Sequence, residues 1–239
     1  HLHVSSFKTI LVEAETIIGK LKDDIKTKLK RTKLTSSKLT EFVRLLLQLG
    51  EPSAQLQIQF LNWQQTRLMS AMKEEYNNSD DETSTKTFVS KMNQVFVEEF
   101  VEVCRQHGVM FPQVRDLASP YAKCLVEFSK ITFASYFENI RKHLLNVLPD
   151  ESGDEEKNKT FFVSLSESLE MLRSSIQPAH LMVPQARLND RVAEITERAV
   201  RHQVDMSFEK LRQRIRVELE KELRRRPEQQ NTKNDGLQD

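Results

Sequence analysis

Apolar residues recur at intervals of three and four along nearly the whole chain, and this spacing places them on one face of an α-helix. The runs with this spacing cover residues 7–29, 41–72, 87–108, 120–148, 161–176 and 188–223. With 5 Gly and 7 Pro in 239 residues, the composition also suits long amphipathic helices better than a turn-rich β-protein. The pattern therefore predicts an all-α protein with almost no sheet.

Two of these helices are predicted to meet at a tight turn in the stretch LLLQLGEPSAQLQIQFL, residues 45–61. Gly50 falls where a helix can end in the left-handed conformation, which glycine adopts without steric cost. Pro52 has the fixed φ that suits the first turn of a new helix. Gly50 and Pro52 are therefore the expected structural residues of an antiparallel αα-hairpin.

Other breaks follow from polar stretches, glycine and proline. Residues 32–38 form a polar linker, and the acidic stretches 77–86 and 150–159 are predicted to be surface loops. Gly108 is expected to end one helix. The prolines at 149, 178, 184 and 227 are expected to close or bend others.

The last long run, residues 185–226, contains neither Pro nor Gly. As one helix it would be roughly 60 Å long, whereas a compact globule of this chain length is only about 45 Å across. We therefore expect an elongated rod of antiparallel helical bundles, with the last helix either continuous or broken near 202–205. The predicted regions are an N-terminal hairpin region at 1–80, a second bundle at 81–230 and a polar tail at 231–239.

Charge and cysteine content narrow the function classes. The formal net charge of +1 gives no overall attraction to nucleic acid or to an anionic membrane. Two cysteines and no apolar run of membrane-spanning length favour a reduced, cytosolic setting. Because the chain begins with His1 rather than Met, we expect a piece of a longer protein.

The strongest candidate for metal binding is Cys104 with His107, which the i, i+3 spacing places on one helix face. A tetrahedral zinc site would also need Cys124 or His143 to converge from another helix, and two buried cysteines in a core are the simpler interpretation. The sequence has no phosphate loop, GxGxxG, HExxH or nucleophile elbow. We therefore predict no enzyme activity, no cofactor and no metal.

Two surfaces are candidates for contacts with partners. The first helix has a lysine-rich face with Lys22, Lys26 and Lys30, which suits an anionic membrane surface or is simply solvated. Trp63 is the only tryptophan, and it is a candidate partner contact because tryptophan is enriched at interface hot spots. The alternative is that Trp63 belongs to the core, as most aromatic residues at helical spacing do.

The chain resembles the middle region of the Vps fifty-one, or fat-free, family, a subunit of the GARP and EARP vesicle-tethering complexes. The similar segments, which occur in the same order as in that family, are SSFKTI at 5–10, the stretch at 45–61, FVEEF at 96–100, FASYFENIRKHL at 133–144 and LNDRVAEITERAVRHQV at 188–204. None of them is a chemical motif, so the specificity of the resemblance lies in their order.

The resemblance implies a non-catalytic scaffold region of a tethering subunit that acts in retrograde transport from endosomes to the Golgi. It further implies a cytosolic protein that is peripheral to trans-Golgi network and recycling endosome membranes, with other subunits as partners. Contact with a SNARE is expected only through segments outside this chain, and no nucleic acid is expected. The alternatives are a subunit of the exocyst or of the conserved oligomeric Golgi complex, or a membrane-surface-binding helical dimer.

Overall fold

The computed structural model describes residues 2–29, 34–79, 84–112, 120–146 and 155–234, and all regular secondary structure in these ranges is helical. In chain order the elements are α1 (Leu2–Leu29), α2 (Ser36–Gln48), α3 (Ser53–Asn78), α4 (Thr85–Met92), a π-helical segment (Asn93–Glu98), α5 (Glu99–Met110), α6 (Pro120–Asn146), α7 (Glu155–Met182), a 3₁₀ turn (Pro184–Ala186) and α8 (Leu188–Asn234). The all-α class is confirmed, whereas the rod of antiparallel bundles and the division near residue 80 stay predictions.

The turn between α2 and α3 is closed by a Schellman motif. Gly50 has a φ of 80°, and its N–H donates to the Leu47 carbonyl at 3.0 Å, while the N–H of Glu51 donates to the Leu46 carbonyl at 3.0 Å. Pro52 is the N-cap of α3, one residue before the first helical position. A turn this short places α2 and α3 side by side and antiparallel.

The predicted helix stop at Gly108 is wrong, and Pro178 does not close its helix. Helix α5 continues through Gly108 to Met110, and α7 continues through Pro178 to Met182. Gly108 and Pro178 are both exposed, and buried side chains lie on either side of each in the sequence, such as Ile176 and Ala179 around Pro178. Packing of these neighbours holds the helix together, and at Pro178 water can satisfy the carbonyl that loses its partner.

Two boundaries near the acidic loops and the C-terminus also differ from expectation. Residues 155–159, expected in a loop, form the first part of α7, and 150–154 lie outside the described residues. Helix α8 is continuous through 202–205, so of the two alternatives the broken helix is excluded. It also continues past Pro227, as far as Asn234.

The buried side chains form one continuous cluster that draws on α1 to α8. Its centre is an aromatic group in which Phe96, from the π-helical segment, stacks on Tyr136 of α6 with ring centroids 4.9 Å apart. Phe100 and Phe133 extend this group at 4.8 Å from each other. The π-helical segment thus joins α4 to α5 inside the core, where α3, α6 and α7 surround it.

Helix α1 leaves the bundle at the N-terminal end of α3. It packs on α2 through its last turns, where Ile25 and Leu29 are buried. Lys26 reaches Glu51 in the α2–α3 turn at 2.8 Å, so the residues of α1 before this point extend past the turn.

Helix α8 leaves the bundle at the C-terminal end of α3. Near that end Phe88 contacts Tyr76 of α3 and also stacks on His143 of α6, with ring centroids 6.1 and 3.9 Å apart. Gln203 of α8 donates from Nε2 to the Leu144 carbonyl at 3.3 Å. The rest of α8, residues 204–234, therefore continues beyond the end of α6, and the two terminal helices emerge from opposite ends of the bundle.

Alanine in place of Gly50 or of Gly108 is expected to change stability in opposite directions. Gly50 needs a left-handed φ of 80°, so Gly50→Ala should lower the free energy of unfolding by about 1 kcal/mol. At Gly108 no described atom lies within 4 Å of the position of an added Cβ, so Gly108→Ala should raise it by about 0.5–1 kcal/mol. Urea unfolding of both variants checks this, and effects of equal sign would contradict it.

Candidate interaction surfaces

The apolar face of α1 is buried at its end and uncovered before it. Ile25 and Leu29 are 5% and 2% exposed, whereas Phe7 and Ile17, on the same face, are 70% and 65% exposed. The other uncovered side chains of this face are Ile10, Leu11, Ile18 and Leu21. We call the uncovered part, residues 7–21, the α1 face.

The α1 face repeats every seven residues. Phe7, Ala14 and Leu21 occupy one position of the repeat, and Ile10 and Ile17 occupy the position three residues later. This spacing is that of the a and d positions of a coiled coil. The face covers an arc of about 120°, which suits packing against another helix.

Two of the lysines singled out in α1 bind the α2–α3 turn. Glu51 accepts from Lys26 Nζ at 2.8 Å, and Lys22 Nζ lies 3.7 Å from the same oxygen. The hydrogen bond from Lys26 is the main reason that the pKa of Glu51 is lowered. Lys22 and Lys26 therefore fix α1 to the hairpin, while Lys30 lies outside the described residues.

Trp63 lies on α3, half-buried, and packs against the core. The next residue, Gln64, is fully buried, and its Oε1 accepts from Arg67 Nε at 2.9 Å. Gln64 rather than Trp63 therefore occupies the core-facing position in this turn of α3. Trp63 keeps part of its ring in solvent and stays a candidate partner contact.

Helix α8 carries two apolar faces that the sequence pattern had merged into one. Leu188, Val192, Ile195 and Ala199 point into the core, with exposures of 1%, 4%, 7% and 2%. From residue 204 onward a second stripe follows on a face roughly 160° away around the helix. We call this the outer stripe; its members are Val204, Phe208, Leu211, Ile215 and Leu219, which are 44–67% exposed.

A groove of about 650 Å³ lies between α6 and the first turns of α8. Its apolar floor includes Phe133, Phe137 and Ile195. The charged side chains along its walls are Lys130, Glu138 and Arg141 from α6 and Arg187, Asp190, Arg191, Glu194 and Arg198 from the 3₁₀–α8 junction and α8. The carboxylates pair with arginines close to them in sequence, as Glu194 does with Arg191 and Arg198 at 2.9 and 2.7 Å. These ion pairs lower the pKa of Glu194, and they give the carboxylates of the groove walls partners within the protein.

His107 is a fully buried ionisable group of α5. Its ring lies against Phe60 and Phe111, and its Nε2 is 2.9 Å from Nε2 of Gln57. Its Nδ1 has no hydrogen-bond partner in the described part of the chain. Because charging the ring here would bury an unpaired cation, the pKa of His107 falls from 6.5 to about 4.

The residues considered for metal binding are not gathered into a site. Within the described ranges, no group of three His, Cys, Asp or Glu side chains is placed to hold a metal ion. Burial raises the pKa of the Cys104 thiol, which disfavours the thiolate that a metal would need. His143 stacks on Phe88, and Cys124 is half-buried on α6.

Sequence reasoning missed three of these features. The binding of Lys22 and Lys26 to Glu51 joins residues more than twenty positions apart, so no local pattern reveals it. The uncovered state of the α1 face depends on where the neighbouring helices end. The second face of α8 was detectable, because residues 199 and 204 differ by about half a turn at 100° per residue.

Across the ranges that the structure describes, no helix has the length and apolar content needed to cross a bilayer. No known protein family, curated protein or solved structure matches the chain. The resemblance to the Vps fifty-one family is thus carried by the ordered sequence segments alone.

Proposed function

We propose that this chain is a non-catalytic scaffold region of a vesicle-tethering complex subunit that acts in retrograde transport from endosomes to the Golgi. The ordered similarity to the middle region of the Vps fifty-one family supports this pathway. The helical fold with projecting terminal helices is compatible with a protein that works through contacts. In this proposal the protein is cytosolic and reaches trans-Golgi network and recycling endosome membranes through its complex.

The observation that carries the proposal is the uncovered α1 face. Its large side chains, such as Phe7 at 70% exposure, form one apolar strip about 20 Å long. Strips of this kind mark surfaces that another protein or a membrane covers. A helix of another tethering subunit is the proposed occupant, because the heptad spacing favours helix–helix packing.

The test is affinity purification of the full-length protein from cells, with and without Ile10→Asp and Ile17→Asp. Both residues lie on the α1 face and are 58% and 65% exposed, so the variant should still fold. Recovery of the other tethering subunits should fall roughly tenfold or more, because two charges are placed in an apolar contact. Val12→Asp is the matched control, since Val12 is 60% exposed on the opposite side of α1.

Three results would count against the proposal. If the unaltered protein recovers no tethering subunits, the pathway is wrong. Recovery of exocyst or conserved oligomeric Golgi subunits would move the protein to one of those complexes. Equal recovery by the α1-face variant and by Val12→Asp would show that α1 is not the contact.

A membrane surface is the alternative occupant of the α1 face. The structure makes the basic face of α1 less suited to this role, because Lys22 and Lys26 are held by Glu51. Anionic vesicles distinguish the two occupants. Salt-sensitive binding that Lys20→Glu with Lys28→Glu abolishes would support the membrane, since both lysines are exposed and neither binds Glu51.

A further inference from the structure

The outer stripe of α8 belongs to a segment with an unusual symmetry of sequence. Residues 211–223 read LRQRIRVELEKEL. Counted outward from Val217, the apolar positions match in pairs, Ile215 with Leu219 and Leu211 with Leu223. All four side chains are more than half exposed.

The charges of this segment invert about the same centre. Arginine occupies 212, 214 and 216, and glutamate occupies 218, 220 and 222. Each arginine therefore has a glutamate at the mirrored position: 212 with 222, 214 with 220, and 216 with 218.

Stability of α8 itself does not explain this order. An acidic residue is more favourable four positions before a basic one than four positions after it, whereas here the arginines precede the glutamates. Arg212 pairs with Glu209 at 3.2 Å and Lys221 with Glu218 at 2.8 Å. Arg214 and Arg216 make no ion pair with any described residue, although glutamates of the same helix lie close enough in sequence to pair with them.

We infer that the 211–223 part of α8 packs through its apolar positions against the same part of a second copy of this chain, with the two helices antiparallel and centred on Val217. This arrangement sets Leu211 against Leu223 and Ile215 against Leu219, and it places each arginine at the level of a glutamate. A parallel, in-register pair would instead set arginine beside arginine and glutamate beside glutamate. The antiparallel pair has a two-fold axis, as most protein dimers do.

The position of the stripe permits this pairing. It lies beyond the end of α6 and on the side of α8 roughly opposite the core face, so a second helix can approach without meeting the bundle. An anionic membrane fits the stripe less well, because three glutamates border its distal half. The inference does not depend on the tethering proposal.

Oligomeric state measured by sedimentation over a range of protein concentrations tests the inference. Leu211→Asp should weaken the dimer roughly tenfold or more, because Leu211 lies in an apolar layer. Val217→Asp should have little effect, since Val217 is 49% exposed on the side facing away from the stripe. Both residues are exposed in the single chain, so circular dichroism should show unchanged helix content.

Two triple variants, called charge blocks here, test whether the arginines of one helix pair with the glutamates of the other. One variant changes the arginines at 212, 214 and 216 to glutamate, and another changes the glutamates at 218, 220 and 222 to arginine. Each alone should be mainly monomeric, an equal mixture of the two should form heterodimers, and a chain with both changes should dimerise again. A monomer at every concentration for the unaltered chain, or a dimer that neither block weakens, would overturn the inference.

A spin label at Asp205→Cys, in a Cys124→Ser background, tests the direction of pairing. Asp205 is exposed and twelve positions before the centre at Val217. An antiparallel pair places the two labels about 36 Å apart along the helix axis, whereas a parallel pair places them about 10 Å apart. The short distance would overturn the inference, as would binding to anionic vesicles that Leu211→Asp abolishes in a chain that stays monomeric.

Discussion

Lowering the pH from 6.5 to about 4 is expected to cost the folded protein about 3 kcal/mol through His107 alone. The folded-state pKa of His107 is about 4, below the ordinary value of 6.5 that applies in the unfolded chain. The unfolded state therefore takes up the proton first as the pH falls. The contribution is fully present above pH 6.5, decreases through this window and is flat below about 4.

The structural cause is the burial of a ring that has no site for a second proton. Nε2 lies 2.9 Å from Gln57, and Nδ1 meets no acceptor among the described residues. His143, whose pKa burial also lowers, adds an effect of the same sign. Carboxylates with lowered pKa, such as Glu51 and Glu102, lose their contributions only below 4.5, so the upper part of the window belongs to the histidines.

Urea unfolding at several pH values between 7 and 4 measures this effect. The His107→Leu variant should show a shallower loss of stability over the upper half of the window, because leucine does not titrate. His202→Gln, on the partly exposed face of α8, is the control. An unchanged pH slope in His107→Leu would contradict the assignment, whatever that variant does to stability at neutral pH.

The second large effect is expected at Asn93, in the π-helical segment. Asn93 Oδ1 accepts from the hydroxyl of Tyr136, and its Nδ2 donates to Ser175 Oγ at 2.9 Å. Tyr136 is fully buried, so Asn93→Leu would leave its hydroxyl without an acceptor and remove the bond to Ser175. The loss of stability should be about 3 kcal/mol, the sum of two buried bonds and one orphaned hydroxyl.

A double-mutant cycle separates the orphaned hydroxyl from altered packing. Tyr136→Phe removes that hydroxyl, so Asn93→Leu with Tyr136→Phe should be more stable than Asn93→Leu alone. The rings that contact Tyr136, which are Phe96, Phe133 and Phe137, are kept in every variant. If the double variant is as unstable as the sum of the single ones, the two side chains are not coupled as described.

The sequence predicted those parts of the fold that local chemistry decides. The α2–α3 turn followed from Gly50 and Pro52, because a left-handed residue and a fixed φ act over a few positions. The helix breaks expected at Gly108 and Pro178 do not occur, because local chemistry does not decide the structure there. Their cost to a helix is local, but the packing of their neighbours comes from distant segments and outweighs it.

The candidate surfaces were likewise predictable only in the features that local sequence decides. The apolar spacing of α1 was visible, but its uncovered state depends on where α2 and α3 end. The pairing of His107 with Gln57 joins positions fifty residues apart, and no periodicity announces it. The change of face in α8 is visible only when residues 199 and 204 are placed around the helix, because the spacing of three and four on either side of them is the same.

The emergence of α1 and α8 from opposite ends of the bundle also determines how the molecule would carry force. Helix α3, with 26 residues, separates the two exits by about 40 Å. A pull applied to the two terminal helices would run along the bundle and load the contacts between its helices in shear. Many side-chain contacts would then have to break together, so the geometry favours high resistance to unfolding under such a pull.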